Sequence, residues 1–157
     1  YGYPDLVREA STARSLKATL DLDDPCFSQP SDDMPDRICR YCREHALSPP
    51  STIGETVRLI LESLAHSYGN TLRILEEIVG QQLPVLHIVG GGSRNDLLCQ
   101  MTANACGCTV VTGPTEAAGI GNLLMQARAV GSLPDGSSIR DVVRASTSLI
   151  SYQPTTL

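Results

Sequence analysis

Residues 86–95 have the sequence Leu-His-Ile-Val-Gly-Gly-Gly-Ser-Arg-Asn, in which an apolar segment stops abruptly at three glycines. The run 86–89 predicts a short strand, and a helical pattern begins at Asn95. A turn without Cβ atoms lets a ligand approach the backbone closely, and the helix start offers free N–H groups and a positive dipole potential. This combination predicts a site for a nucleotide or another phosphate ester. The alternative is that the glycines end the strand for steric reasons alone.

Two familiar nucleotide motifs do not fit this stretch. A P-loop requires a lysine directly after its last glycine, and no lysine follows Gly92. A dinucleotide fingerprint requires a third glycine where Asn95 stands, and an acidic residue about 20 positions further on, at the end of the next strand. The next predicted strand ends at Thr112 and Gly113, without an acid. The sequence therefore argues against both the P-loop and the Rossmann fold.

The residues on either side of the glycines predict alternating helices and strands. After the longest helix, the patterns indicate strands at residues 84–89, 108–112 and 149–152 and helices at residues 95–106, 115–130 and 139–146. That longest helix, residues 52–79, would open with a Thr52-x-x-Glu55 capping box and extend for about 42 Å. Before it, the patterns indicate helices at residues 5–18 and 36–45, with a loop at residues 20–35. Gly119 and Gly121 would let their helix pack closely against its neighbours.

Composition excludes several classes of function. A formal net charge of −5 and the lack of a basic stripe argue against nucleic-acid binding. No apolar run approaches the ~18 residues that a membrane-spanning helix needs. The spacings Cys39-x-x-Cys42 and Cys106-x-Cys108 could hold zinc, but their places in a predicted helix and at a helix–strand junction favour small buried residues. We therefore expect no metal site, and a cytoplasmic chain with reduced thiols.

A second motif near the glycines points to a family. Residues 90–100, Gly-Gly-Gly-Ser-Arg-Asn-Asp-Leu-Leu-Cys-Gln, are followed at residues 115–122 by Thr-Glu-Ala-Ala-Gly-Ile-Gly-Asn. The pair resembles the C-terminal domain of the FGGY carbohydrate kinases, members of the actin-like ATPase superfamily. The resemblance implies an α/β fold, part of an actin-like (ribonuclease H-like) domain with a long helix and a strand–glycine turn–helix on the nucleotide side. Residues 1–157 would be the C-terminal portion of the second domain, with the N-terminal domain absent.

The resemblance also implies an activity. It predicts an ATP-dependent ketose kinase, with L-rhamnulose as the expected sugar over related ketoses such as fuculose and xylulose. ATP and Mg²⁺ would be required. The given sequence starts at Tyr1 without an initiator Met, and the catalytic base and the Mg²⁺ ligands would lie in sequence that precedes Tyr1. We therefore assign no catalytic or metal-binding residue and expect the isolated chain to be inactive. The alternative is a non-catalytic nucleotide-binding or interaction module.

By the same resemblance, the adenosine-binding segment is the glycine turn. Gly91 would contact the nucleotide through its backbone, while Gly90 and Gly92 allow the close approach. Asn95 would either hydrogen-bond the nucleotide or cap the following helix. Glu116 is expected to complement a helix dipole rather than to act as a base. Because earlier sequence would complete the sheet, we also expect an exposed sheet edge, and with it self-association or dependence on an accompanying chain.

Overall fold

The computed structural model describes residues 1–28, 33–133 and 138–155. The chain divides into two compact units, Tyr1–Gln81 and Gln82–Leu157. The first unit contains the helices α1 (Tyr3–Thr12), α2 (Met34–Glu44) and α3 (Ile53–Val79). The second unit contains β1 (Val85–Ile88), α4 (Asp96–Cys106), β2 (Thr109–Thr112), α5 (Ala117–Ala129), α6 (Ile139–Ser146) and β3 (Ile150–Tyr152). No helix within the described ranges is both long and apolar enough to cross a membrane.

The start and the end of α3 follow from local sequence. Thr52 Oγ1 accepts a hydrogen bond from the Glu55 N–H at 3.1 Å, as the predicted capping box requires. The Glu55 carboxylate differs from that prediction, because its Oε2 accepts from the N–H and the hydroxyl of Ser51, at 2.8 and 2.6 Å, instead of from Thr52. Gly80 ends the helix in the left-handed conformation, with φ 69°.

The first helix is shorter than its apolar pattern predicted. A helix was expected at residues 5–18, and α1 ends at Thr12. The reason is a tertiary partner: Arg58 Nη1, on α3, donates to the carbonyl oxygens of Ala10 and Ala13, at 3.4 and 2.9 Å. These carbonyls lie at the end of α1, so the side chain satisfies groups that the helix end leaves without partners. The chain leaves the helical conformation at Ala13, which is extended.

The core of the first unit brings together α2, α3 and the segment between α1 and α2. Leu59 of α3 packs there at 1% exposure, and the segment contributes Ala18 and Leu20. From α2 come Ile38, Tyr41 and Cys42. The predicted loop 20–35 is confirmed over its described residues, apart from a 3-10 turn at Pro25–Phe27 and the first residues of α2. Residues 29–32 of that loop lie outside the described ranges.

The described residues of the second unit include a three-stranded sheet with the order β1-β2-β3. The pair β1 and β2 is parallel, with Val85 opposite Thr109, and β3 is antiparallel to β2, with Tyr152 opposite Val110. The crossover between the parallel strands is α4, whose Cys99 and Ala103 pack on Val110 in a fully buried cluster. Among the described residues, β1 is therefore an outer strand with one unpaired edge.

The helices α5 and α6 carry no buried residue among those the structure describes. Leu123, Met125 and Val130 are all more than half exposed. The close packing expected at Gly119 and Gly121 is absent, because no described heavy atom would lie within 4 Å of a Cβ at either position. The apolar surface of α5 is thus uncovered within the described chain.

Candidate functional site

The three glycines form a compact turn directly after β1. Gly90 has φ 78° and ψ −160°, which a residue with a side chain adopts only under strain. From Gly91 to Arg94 the chain forms a 3-10 turn, which the sequence did not predict. The Ser93 N–H and hydroxyl both donate to the Gly90 carbonyl oxygen, at 3.1 and 2.7 Å. The turn is therefore held by its own hydrogen bonds before α4 begins.

Gly91 is the most open position of the turn. A Cβ built on Gly91 would meet no described atom within 4 Å, and one on Gly92 would meet only Ile88 Cγ2, at 3.9 Å. Both residues are exposed. The fold itself thus leaves room for a side chain at Gly91, and the glycine there exposes its backbone to an approaching ligand.

Asn95 caps α4. Its Oδ1 accepts a hydrogen bond from the Leu98 N–H at 3.0 Å, and its own N–H donates to Gly92 O at 3.1 Å. The residue is 1% exposed. Of the two roles expected for Asn95, the cap is the one that the structure shows, and contact with a nucleotide stays a prediction.

A buried thiol on α4 contacts the backbone of the glycine turn. Cys99 lies one turn inside α4 and is fully buried. Burial raises the pKa of its thiol to about 11, so the group is neutral at physiological pH. Its Sγ lies 3.8 Å from the Gly92 carbonyl oxygen, to which it donates. This contact binds the last glycine of the turn to the helix that follows.

Residues 113 and 114, which directly precede the second motif, lie against this turn. The Gly90 N–H donates to Pro114 O at 3.3 Å, and the Gly113 N–H donates to Ile88 O at 2.9 Å. Both bonds join the carboxyl ends of the parallel strands β1 and β2, where ligands commonly bind in α/β folds. Gly113 has φ 97°, so a residue with a side chain would be strained there too.

An open cleft of about 600 Å³ lies at this edge of the sheet. Its volume is in the range of small-molecule sites. It is lined by Ser93, Arg94, Asp96, Thr112, Gly113, Pro114, Thr115, Glu116, Ile120, Thr147, Ser148 and Ile150. Glu116 is the N-cap residue of α5, makes no side-chain cap hydrogen bond and is exposed. The roles of Gly113 and Pro114 were not predicted from the sequence, although a Gly-Pro pair directly after a buried strand marks the same sheet edge.

Comparison with known families gives one match that covers most of the chain. Residues 11–130 match the model of the C-terminal domain of the FGGY family of carbohydrate kinases. The chain is 42% identical over 152 residues to a rhamnulokinase from Bacteroides thetaiotaomicron, a match that covers 97% of this chain and 31% of that protein. It is 36% identical over 154 residues to a rhamnulokinase from Bacillus subtilis, covering 98% and 32% of the two chains. The chain thus spans about a third of the length of these relatives.

One solved structure shows the same fold at low sequence identity. The crystal structure of xylulose kinase from Rhodospirillum rubrum superposes with a TM-score of 0.50 and 19% identity, covering 69% of this chain and 22% of that one. Together with the family match, this similarity confirms the predicted fold class, an α/β part of an actin-like ATPase (ribonuclease H-like) domain.

Proposed function

Because the chain belongs to the FGGY family of carbohydrate kinases, we propose that it is the C-terminal, nucleotide-side portion of an ATP-dependent sugar kinase. The observation that carries the proposal is the open backbone at Gly91, placed at the end of β1 and beside the cleft where the two motifs meet. The longer protein would transfer the terminal phosphate of ATP to a hydroxyl group of a ketose and would act in the cytoplasm.

L-Rhamnulose is the proposed sugar, with L-rhamnulose 1-phosphate and ADP as the products. This choice is supported by relatives named rhamnulokinase that are 34–42% identical over 91–98% of this chain. The choice of L-rhamnulose over fuculose or xylulose depends on those relatives. The direct test is a comparison of the three ketoses as substrates of the longer protein.

The proposed nucleotide contacts come from the glycine turn. Gly91 and Gly92 would present their backbone to the nucleotide, and Gly90 supplies the positive φ that directs the turn. Asn95 would contribute by fixing the start of α4, and its contact with the nucleotide is part of the proposal. These features fit a nucleotide, because backbone groups in a turn without side chains can approach a ligand closely.

Phosphoryl transfer in this family would also require Mg²⁺ and a base. Mg²⁺ prefers oxygen ligands and bridges the phosphates of the nucleotide. In residues 1–28, 33–133 and 138–155, no three His, Cys, Asp or Glu side chains are grouped to hold a metal ion. We propose that the metal ligands and the base belong to the other two thirds of the enzyme, and that this chain alone binds nucleotide without catalysing transfer.

The outer edge of β1, which no described strand pairs with, supports a second part of the proposal. Val85 in this strand and Val89 directly after it are 43% and 51% exposed. An exposed strand edge with apolar neighbours is a template for pairing with another chain. The isolated chain would therefore associate with itself or with an accompanying chain that completes the sheet.

Titration of Mg·ATP and ADP into the chain by calorimetry tests the nucleotide site. We expect saturable binding that Gly91→Val weakens by at least about tenfold, because the valine occupies the space a ligand would use. Gly119→Val, the same change at an open position on α5, should leave the affinity unchanged. A folded native chain that binds no nucleotide, or equal affinities for the native and Gly91→Val chains, would overturn the assignment of the site.

A further inference from the structure

The last described residues of the chain form hydrogen bonds along the length of α4. Three polar residues of α4, spaced four apart, form a single stripe on the helix: Asp96, Gln100 and Asn104. Each of them hydrogen-bonds to the segment 152–155, which we call the terminal strap. Asp96 and Gln100 lie in the glycine-turn motif at residues 90–100, whereas Asn104 and the segment 152–155 lie outside both motifs.

The hydrogen bonds between the strap and α4 have short donor–acceptor distances, and successive strap residues bond to successive positions of the stripe. Gln100 Nε2 donates to the Gln153 carbonyl oxygen at 2.8 Å. Near the end of α4, Asn104 Oδ1 accepts from the N–H and the hydroxyl of Thr155, at 2.9 and 3.1 Å. These two residues secure the middle and the far end of the helix, away from the glycine turn.

The contact nearest the glycine turn is made by Tyr152. Its hydroxyl donates to Asp96 Oδ1 at 2.7 Å, and Asp96 is the first residue of α4. The Tyr152 ring packs against the Cys99–Ala103–Val110 cluster, and its backbone lies in the sheet opposite Val110. The side chain therefore joins the sheet to the residue that follows the Asn95 cap.

From Asp96 the connection to the turn is short. Asn95 precedes it in the chain, and the Asn95 N–H donates to the carbonyl oxygen of Gly92. The Cys99 thiol, one turn further along α4, also donates to that oxygen. A shift of the first turn of α4 would thus move the Gly92 carbonyl directly, since two bonds from α4 and its cap end on it.

We propose that Tyr152 is a positioning residue for the nucleotide site, acting through Asp96 to hold the start of α4 and the glycine turn in their binding geometry. This inference rests on the proposed function for its consequence in binding. The inference that Tyr152 holds the turn does not depend on the proposed function, because the hydrogen bonds involved are present whether or not a nucleotide is bound. Tyr152 itself touches neither Gly91 nor a reacting group in this assignment.

Amide hydrogen exchange of the whole chain tests the structural part without any ligand. The Ser93 and Asn95 amides, which donate to Gly90 and Gly92, report the turn. Tyr152→Phe keeps the ring and removes the hydroxyl, and should speed exchange at both amides by about fivefold, as the loss of one hydrogen bond would. Asn104→Ala removes strap bonds at the far end of α4 and is the matched control. It should leave both amides unchanged while speeding exchange near Gly107.

A second pair of variants separates positioning from simple loss of stability. Asp96→Ala removes the acceptor of the Tyr152 hydroxyl and should speed exchange at the Ser93 and Asn95 amides as much as Tyr152→Phe does. Asp96→Asn keeps an acceptor oxygen, so exchange at both amides should be as slow as in the native chain. If Tyr152→Phe does not fold, this pair decides the proposal alone. Unchanged exchange in Tyr152→Phe and Asp96→Ala, or equal effects of Asn104→Ala, would overturn it.

Affinity for ADP, measured on the same variants, then tests the functional part. Tyr152→Phe should weaken ADP binding by about fivefold and Asn104→Ala should not, in line with the loss of one hydrogen bond near the turn. Faster exchange at Ser93 and Asn95 with unchanged ADP affinity would overturn the link to the nucleotide site. If the native chain binds no ADP, the proposed function fails, while the exchange data still decide whether Tyr152 positions the turn.

Discussion

Neighbouring glycines in the turn have different physical roles. Gly90 has a positive φ, so glycine is required there by the backbone itself. Gly91 has neither a positive φ nor a neighbour within 4 Å of its missing Cβ. The described chain leaves room for a side chain at Gly91, which agrees with the proposal that a nucleotide approaches the turn from outside. This difference makes Gly91 the informative position for binding experiments.

The ionisation of Glu55 is linked to folding of the first unit. Hydrogen bonds from the Ser51 hydroxyl and N–H, and then from Arg14, lower its pKa from 4.5 to about 2. Its carboxylate therefore stays ionised in the folded chain at pH values where the unfolded chain has bound a proton. The stabilisation is complete above about pH 4.5 and is lost as the pH falls toward 2.

We therefore expect the urea midpoint of the native chain to fall more steeply than that of Glu55→Gln between pH 5 and pH 2. The two curves should converge at the acid end, where the carboxylate is protonated. Glu77→Gln, at an exposed position near the end of α3, is the control and should follow the native curve. Parallel curves for the native chain and Glu55→Gln would show that this carboxylate is not the group responsible.

At the scale of elements, α1 and α3 pack closely against each other at Gly54. A Cβ on Gly54, in the first turn of α3, would lie 2.7 Å from Glu9 O and 3.2 Å from the Cβ of Ala13. The backbone oxygen cannot move without disturbing α1, so the helices can approach this closely only with glycine at that position. The pattern of apolar residues along α3 gave no sign of it.

Gly54→Ala should destabilise the chain by about 1–3 kcal/mol, the usual cost of overpacking a tight contact. Gly119→Ala makes the same chemical change at an open helical position and should stabilise the chain by up to about 1 kcal/mol, through helix propensity alone. Chemical denaturation of both variants measures the difference. Equal stabilities for the two would mean that α1 does not pack closely on Gly54.

At the scale of the whole molecule, several large apolar side chains are exposed to solvent. Uncovered side chains lie at β1 and along α5, with Val85 at 43% and Leu123 at 66% exposure. The sheet has only three described strands, and β1 is an outer one. Exposed apolar side chains together with an open strand edge favour association.

Sedimentation velocity should therefore show an average mass that rises with concentration for the native chain. Val85→Lys, which places a charge on the outer strand, should shift the chain toward the monomer. Val130→Lys makes the same change at the C-cap of α5, outside the sheet, and should have the smaller effect. A native chain that stays monomeric over the whole concentration range would contradict the proposed association through β1.

Sequence alone determined the order and type of the elements, because helix and strand periods and local stop signals are short-range properties. The strand–glycine turn–helix at residues 85–106 and the helix Ile139–Ser146 lie where the patterns predicted them. Gly80 and Gly107 end α3 and α4 in the left-handed conformation, as a glycine at a helix end favours. The family resemblance depends on the same kind of local motif, so it too is a property of the sequence.

Only the tertiary structure decided where distant residues meet. Arg58 ends α1 early, Ser51 and Arg14 share the Glu55 carboxylate, and Tyr152 holds the start of α4. Each of these contacts joins residues dozens of positions apart or competes with a local alternative, so no window of sequence contains both partners and their geometry. The candidate site likewise combines features that the sequence shows with features that only the fold shows. Its glycines were visible in the sequence, whereas the Gly113–Pro114 wall and the residues that position the turn required the folded chain.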